Sequence, residues 1–300
     1  MGSIRRTKTM KEKLYIIDIS NFMHRAFHAV GDLRTSRGLP VGAIFGTVNM
    51  MMKFIRDNKP KNIVVCYDSH GKNFRHKIFP EYKANRGPTN EAVSTQEQII
   101  RAIIKSLGMY SVIHSDYEAD DLIASVTKRF KDQYDIVIMT GDKDMLQLID
   151  DNVKVYDSMK KTYYSEKDID KKFGVRSEQI ADYLALVGDR VDNISGVPGI
   201  GPVGARKLLN VHNTIDDIYN NLDSIQNPMR SKLEKNHEIA VLSKTLTSLF
   251  SETPLKITNS DIRFVPRHDT RLIDLLRHLE FNTVISQLTD IYILYKDQKV

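Results

Sequence analysis

Acidic residues fall in five short groups along the chain: Asp18, Asp68, Glu118/Asp120/Asp121, Asp142/Asp144 and Asp189/Asp192. Each group follows a hydrophobic strand-like run or a helix. Runs such as Leu14-Tyr15-Ile16-Ile17 and Ile63-Val64-Val65-Cys66-Tyr67 read as buried parallel strands, and open α/β sheets carry their working residues at the carboxyl ends of such strands. Separate acids would then converge at one edge. Nine carboxylates gathered there repel one another unless divalent cations neutralise them, and an oxygen-only ligand set suits Mg²⁺ or Mn²⁺ better than Zn²⁺. Taken singly, each group has a plainer explanation. Glu118, Asp120 and Asp121 stand at a helix start, where acids favour the dipole; Asp142 and Asp144 follow Thr140-Gly141 as in a turn; Asp189 and Asp192 follow Gly188, a candidate helix C-cap. Capping does not explain why such groups recur at successive strand ends, so a shared metal site is the expectation.

Two further segments bear on what such a site would act upon. About forty residues separate Tyr67 from Met109, longer than an ordinary connection. The first half interleaves cations with rings: His70, Lys72, Phe74, Arg75, His76, Lys77, Phe79, Tyr82, Lys83 and Arg86. Single-stranded nucleic-acid sites use that mixture, and a solvated insertion with rings packed beneath it is the alternative. The second segment is Gly196-Val197-Pro198-Gly199-Ile200-Gly201-Pro202. Glycines on either side of one apolar residue, just before a helix, can turn backbone N–H groups toward a phosphate without sequence preference; they can also make a tight helix-helix turn and nothing more.

The elements that must position these residues alternate. Strands fit 14–19, 62–67, 109–113 and 135–140; helices fit 41–57, with Val41, Ile44, Phe45, Val48, Met52 and Ile55 on one face, and 118–131. This is a βαβ series, hence an α/β fold with a mostly parallel central sheet flanked by helices. From Ser165, a cap-like residue, the texture turns helical through 178–187 and 203–209, and a domain change is expected near 160–175. Residues 1–11 read as a basic lead. The chain has 44 Lys+Arg against 38 Asp+Glu, a formal charge of +6, so an acidic pocket would sit on a basic body that attracts polyanions. The lone cysteine, Cys66, lies inside an apolar strand, as expected of a small buried hydrophobe in a reducing compartment. No run reaches the length of a membrane span and the N-terminus lacks a signal-peptide core, so a cytoplasmic protein is expected.

Tyr117-Glu118-Ala119-Asp120-Asp121, Thr140-Gly141-Asp142-Lys143-Asp144, Tyr82-Lys83-Ala84-Asn85-Arg86, Gly188-Asp189-Arg190-Val191-Asp192-Asn193 and Gly196-Val197-Pro198-Gly199-Ile200-Gly201 resemble, in order, the motifs of the 5′-nuclease family. That family includes bacteriophage 5′ exonucleases, flap endonucleases and the N-terminal nuclease domain of bacterial DNA polymerase I. The resemblance runs from about residue 12 to 250. It implies a PIN-like catalytic domain over 12–170 with a helical arch at about 69–107, and a helical DNA-binding region over 171–300 with a helix-three-turn-helix at about 178–210. It implies that Asp18, Asp68, Glu118, Asp120, Asp121, Asp142, Asp144, Asp189 and Asp192 hold two Mg²⁺, with Mn²⁺ able to substitute. K⁺ is expected at the helix-three-turn-helix. Lys83 and Arg86 are implied to meet the scissile phosphate, with Asp18 and Asp142 counted beside them as catalytic. DNA contacts are implied for Arg25, Arg75, Tyr82, Lys83, Arg86, Gly199, Ile200, Gly201, Arg206 and Lys207.

Three features depart from the pattern. Ile19 stands where glycine often follows the first aspartate, Val203 stands where many members carry a lysine, and no polymerase domain follows within the 300 residues. The valine implies weaker grip on a duplex. The activity implied is 5′→3′ exonuclease and 5′-flap endonuclease action on DNA, or on RNA-primed DNA, leaving 5′-phosphate and 3′-hydroxyl ends, by a monomer and with no membrane partner. Two other classes remain: a catalytically weak DNA-binding protein, which would lack ligands, and a Mg²⁺ phosphohydrolase of small phosphates, which would need neither the cation-aromatic insertion nor the glycine hairpin.

Overall fold

The computed structural model describes residues 11–69, 71–87 and 91–296, the side chains of residues 91 and 92 excepted. The expected basic lead, His70 and residues 88–90 of the insertion lie outside the described residues. A six-stranded sheet runs through the centre: β1 (Lys13–Asp18), β2 (Ile63–Cys66), β3 (Tyr110–Val112), β4 (Asp135–Met139), β5 (Val153–Asp157) and β6 (Thr162–Tyr164). The spatial order is β3-β2-β1-β4-β5-β6, parallel except for the last pair. From β1 the chain moves outward through β2 to β3, then returns to β4 on the other side. That reversal opens a crevice at the carboxyl ends of β1 and β4, the place where doubly wound sheets bind ligands.

Strands buried on both faces must be apolar throughout, and β1 is. Leu14 and Ile16 enter one core, Tyr15 and Ile17 the other. The second core is covered by α1 (Ile19–Val30), α2 (Gly42–Asn58) and, beyond the short α3 (Phe74–Ile78), by α4 (Glu91–Ser106). The first is covered by α5 (Ala119–Phe130), α6 (Glu166–Phe173), α7 (Ile180–Val187), α8 (Pro202–His212), α9 (Ile215–Asn220), α10 (Met229–Lys235) and part of α11 (His237–Thr247). Ser165 caps α6 through a reciprocal bond pattern with Asp168, as its residue type suggested.

Within the expected helical region at 171–300, the segment beyond α11 comes back to the sheet. The Ile63 amide donates to the Ile262 carbonyl and the Phe264 amide to the Lys61 carbonyl, both at 2.8 Å, so the chain returns to the β2 end of the sheet. Then α12 (Thr270–His278) and α13 (Asn282–Lys296) pack on α4 and α2. Tyr295 fixes the end of that cover by donating from its hydroxyl to the Pro60 carbonyl at 2.8 Å. The four expected strands and the helices at 41–57 and 118–131 are present, whereas α1, β5 and β6 had no sequence signal read for them. Phe45 is only partly buried, meeting Phe281 edge-on at 5.2 Å between centroids. Cys66 is free and buried. Among the described residues no helix is long and apolar enough to cross a membrane.

Candidate active site

Asp18 ends β1 and caps α1, accepting from the Asn21 amide at 3.0 Å and from the Thr140 hydroxyl at 2.7 Å. The same hydroxyl accepts from the Asp142 amide at 3.1 Å, so one threonine ties the ends of β1 and β4 across the crevice. Ile19, where the sequence departs, is buried and begins a regular helix, leaving Asp18 in place. Asp68 follows β2 and accepts from the Ala119 amide at 2.8 Å, which fixes it to the start of α5 and to Asp120 beyond. Burial, with Asp68 and Asp142 adding repulsion, pushes Asp18 up to about 7. Burial and the charge of Asp142 likewise raise Asp120 well above the usual range. Asp18, Asp68, Asp120 and Asp142 thus share one field.

A second group lies beside them. Oxygens of Asp144, Asp189 and Asp192 lie within 4.8 Å of one another. Asp144 is driven up to about 8 by burial, then by Asp142, and its Oδ1 is buried without a hydrogen-bond partner. A buried acceptor with no donor, in a set made of oxygen alone, fits a hard divalent cation. Asp142 is the acid felt by both groups. Lys143, to which the sequence assigned no role, reaches Asp189 at 2.8 Å and offsets part of this charge.

The acids face a set of cations on the turn after α3. Lys83 pairs with Glu118 and stands 3.8 Å from Asp192; Arg86, half-exposed, donates to Asp192 at 2.6 Å. Burial works against the Lys83 ammonium, yet Glu118 and Asp192 hold its proton well above the ordinary lysine range. Burial alone would raise Glu118, but Lys83 and Arg75 bring it below the usual glutamate range. Lys83 also occupies the left-handed region, φ 57°, which costs a residue with a side chain on the order of 1–3 kcal/mol and clusters at functional sites.

This turn is bound to the hairpin loop. The Lys83 amide donates to the Asp192 carbonyl at 3.0 Å, Asn85 to the Arg190 carbonyl at 3.1 Å, and Asn193 to the Glu81 carbonyl at 2.8 Å. Asp189 and Ile194 exchange both backbone bonds at 2.8 Å, closing the loop that carries Asp189 and Asp192 between α7 and the glycine hairpin. Gly201 then caps α8 with Pro202 at its first position. Lys207 is exposed on α8, and Arg206 folds back along it to donate to the Pro202 carbonyl at 3.2 Å.

Several sequence-assigned residues turn inward instead. Asp121 is fully buried: its two oxygens accept from Arg75 at 2.7 Å each, from the Phe250 amide at 2.9 Å and from the Glu118 amide at 3.2 Å. It has no capacity left for a metal. Arg75, 2 % exposed, spends its guanidinium on Asp121, Glu118 and the carbonyls of Leu246 and Ser248, which removes it from any DNA-facing surface. Tyr82 is buried with its hydroxyl on Glu118 at 3.0 Å, and the Ile200 side chain is buried under the hairpin. Both oxygens of Glu118 are held by Lys83, Arg75 and Tyr82, so it belongs to the basic frame more than to the open acids. Arg25 pairs with buried Asp157 at 3.1 Å and lies so close over Gly141 that a Cβ there would stand 1.3 Å from its Nη2. A side chain at this position would displace the guanidinium from where it now lies. In the span 69–107, where an arch is expected, the described residues include α3, the 79–87 turn and α4, which is seated on α2 by Gln96 accepting from the Ala43 amide at 2.8 Å.

Comparison with known proteins bears directly on this arrangement. The profile of the 5′-3′ exonuclease N-terminal resolvase-like domain matches residues 13–174, and that of the 5′-3′ exonuclease C-terminal SAM fold matches residues 175–270. The chain is similar to the 5′-3′ exonuclease of Aquifex aeolicus, 32% identical over 280 residues that cover 93% of this chain and 96% of that one. It is also similar to DNA polymerase I of Caldicellulosiruptor bescii, 39% identical over 283 residues, 92% of this chain but only 33% of that protein's length. The fold is that of bacteriophage T5 5′-exonuclease with bound zinc, TM-score 0.66 at 20% identity, covering 93% and 98% of the two chains. The catalytic core of Rad2 in complex with DNA substrate has it too, TM-score 0.61 at 16% identity, with 94% and 93% covered. With one profile spanning more than half of the sequence and a relative matched over nearly its whole length, the chain belongs to the 5′-3′ exonuclease family.

Proposed function

We propose that the chain is a divalent-metal-dependent 5′→3′ exonuclease that also cuts 5′ flaps in DNA, hydrolysing phosphodiester bonds to 5′-phosphate and 3′-hydroxyl ends. One observation carries the reading: Asp192, one of the oxygen triad with Asp144 and Asp189, faces Lys83 and Arg86, on a turn hydrogen-bonded to the loop that leads into the glycine hairpin. The relatives named 5′-3′ exonuclease and the neighbours solved with metal ions and with DNA support it.

In this reading Asp18, Asp68, Asp120 and Asp142 form one cation subsite and Asp144, Asp189 and Asp192 the other, with Mg²⁺ as the resident ion and Mn²⁺ as a substitute. Bound divalent cations would supply Lewis acidity and a water of lowered pKa. The protein's own part is different. Lys83 and Arg86 place positive charge at the phosphoryl group, where charge grows during in-line displacement, and are held ready by Glu118 and Asp192. Thr140 keeps Asp18 and Asp142 at a fixed separation. Gly199, Gly201, Arg206 and Lys207 hold the duplex by its phosphates. A K⁺ ion at the hairpin would compete with the Lys232 ammonium for the Gly199 carbonyl, 2.9 Å away, so exchanging K⁺ for Na⁺ tests that point. The division into a sheet domain and a helical DNA-binding region near residue 170, action by a monomer, and work in the cytoplasm on RNA-primed as well as DNA 5′ ends complete the proposal.

The test is product mapping on 5′-flap, nicked and RNA-primed duplexes with Mg²⁺, beside a small phosphate ester. Release of 5′-phosphorylated fragments from the duplexes, abolished by chelator, is expected. Hydrolysis of the ester with the flap left intact would overturn it in favour of a small-molecule phosphohydrolase.

A further inference from the structure

Lys232 lies across the glycine hairpin from outside it. Gly199 has φ 81°, and a Cβ there would meet Lys232 Cε at 3.0 Å and both Cδ and Nζ at 3.2 Å. The lysine stem covers the open face of this glycine, and its ammonium donates to the Gly199 carbonyl at 2.9 Å. Its position is set by packing. Helix α10 is docked by fully buried Leu233, whose carbonyl accepts from the Tyr219 hydroxyl at 3.1 Å, and by the Met229 methyl against Gly204 of α8.

Two cations of α10 differ in their partners. Arg230, two residues earlier, is neutralised by Asp223 and Glu234, both at 2.7 Å. Lys232 has no carboxylate within ion-pair distance among the described residues; its one side-chain partner is a neutral carbonyl. It sits at the entrance to α8, where the helix dipole is also positive. Among the described residues the amides of Gly199 and Gly201 have no acceptor. The ammonium thus lies on Gly199, two residues before the α8 N-cap, and an ammonium, free backbone amides and a helix N-terminus are the donor types of a phosphate site. Val203, 62 % exposed in the first turn of α8, contributes no charge.

We infer that Lys232 is a duplex-phosphate ligand of the hairpin, supplying from α10 the cation that Val203 does not supply from α8. The inference rests on the reading of the hairpin as the duplex anchor, and it reverses the expectation of a weakened grip. Duplex affinity measured across a salt titration tests it in the full chain, with Lys232→Gln, Lys232→Arg and Arg206→Ala/Lys207→Ala. One phosphate contact contributes about 0.9 to the slope of log affinity against log salt, or about eightfold at 0.1 M salt. Lys232→Gln is expected to lose that eightfold and that slope while keeping the melting temperature; Lys232→Arg is expected to keep both. Binding to a short single strand should not change. An unchanged slope in Lys232→Gln overturns the inference. So does lost affinity at unchanged slope with a lowered melting temperature, which would make Lys232 a structural tie to Gly199. If Arg206→Ala/Lys207→Ala also leaves duplex binding intact, the anchor reading falls with it; if that variant weakens binding and Lys232→Gln does not, only the role of Lys232 falls.

Discussion

Asp120 and Asp121 are adjacent acids at the start of α5, and the structure gives them opposite jobs. Replacing Asp121 with Asn keeps the shape but removes the charge that faces Arg75 and puts an N–H₂ where the guanidinium needs an acceptor. Breaking a buried pair from one side costs about 3–5 kcal/mol. The lower end applies here because Glu118 still faces Arg75 at 3.0 Å. At roughly 2–4 °C per kcal/mol for a chain of about this size, the melting temperature should fall on the order of 10 °C. Asp120→Asn should act the other way in chelator, because it removes one charge from a group whose burial and repulsion from Asp142 already hold its proton. Thermal melts in chelator, paired with calorimetric Mn²⁺ titration, separate the two. Asp121→Asn should melt early and bind Mn²⁺ normally below its melting range; Asp120→Asn should melt at or above wild type and bind Mn²⁺ more weakly. A stable Asp121→Asn protein with tenfold weaker Mn²⁺ binding would refute the assignment of Asp121 to the interior.

Lys83→Ala should lower the single-turnover cleavage rate by about 10²–10³ while changing substrate affinity far less, and raised Mg²⁺ should not recover it. A normal rate with poor binding would reduce Lys83 to a tether. Asp189→Asn should instead show a steeper dependence on Mg²⁺ and partial recovery at high concentration; a loss that Mg²⁺ leaves unchanged would remove Asp189 from the metal set. In chelator, stability should fall as pH rises from 6.5 to 8.5. Asp18 and Asp144 keep protons in the fold up to about 7 and about 8, while the unfolded chain has released them near the ordinary value of 3.8, so the native state binds more protons and loses stability with rising pH. The histidines with lowered values, His24 and His76, oppose this only below their ordinary 6.5. A melting temperature that climbs over that window without metal contradicts the clustering of the acids.

The sheet and its crevice were legible because parallel strands must be apolar on both faces and end at a polar residue, as in Leu14–Asp18 and Ile63–Asp68. Motif spacing then located Asp142, Asp144, Asp189 and Asp192. Side-chain direction was not legible. Asp120 and Asp121 are both acids at a helix start, yet one helical step of about 100° turns the second into the interior toward Arg75. Arg75 and Tyr82 read as part of a cation-aromatic surface because composition does not say which members of such a mixture are buried. The cover supplied by α12 and α13 was hidden for another reason: their partners, α2 and α4, lie far back in the chain. Helix α1 carried a detectable pattern in Ile19, Phe22, Met23 and Ala26, but it follows β1 without a loop and merges with it in the sequence.

Asp192 is the residue through which these parts act on one another. Its Oδ1 receives Arg86 and its Oδ2 receives the Tyr82 hydroxyl, at 2.6 and 3.3 Å, while its carbonyl receives the Lys83 amide. The same side chain completes the oxygen triad with Asp144 and Asp189. A cation drawn into that triad would compete for one carboxylate with Arg86 at 2.6 Å and, more weakly, with Lys83 at 3.8 Å. Competition of this kind would loosen Arg86 from Asp192 as the cation subsite filled and free it for a phosphate, while Lys83 stays paired with Glu118. Because Asp192 also sits on the loop closed by Asp189 and Ile194, a shift of the glycine hairpin against a duplex moves the same carboxylate. On the proposed function, metal binding, release of Arg86 and seating of the duplex would be coupled through a single side chain and its backbone, which is a physical reason for the acids of the hairpin loop to lie so near the turn that carries Lys83.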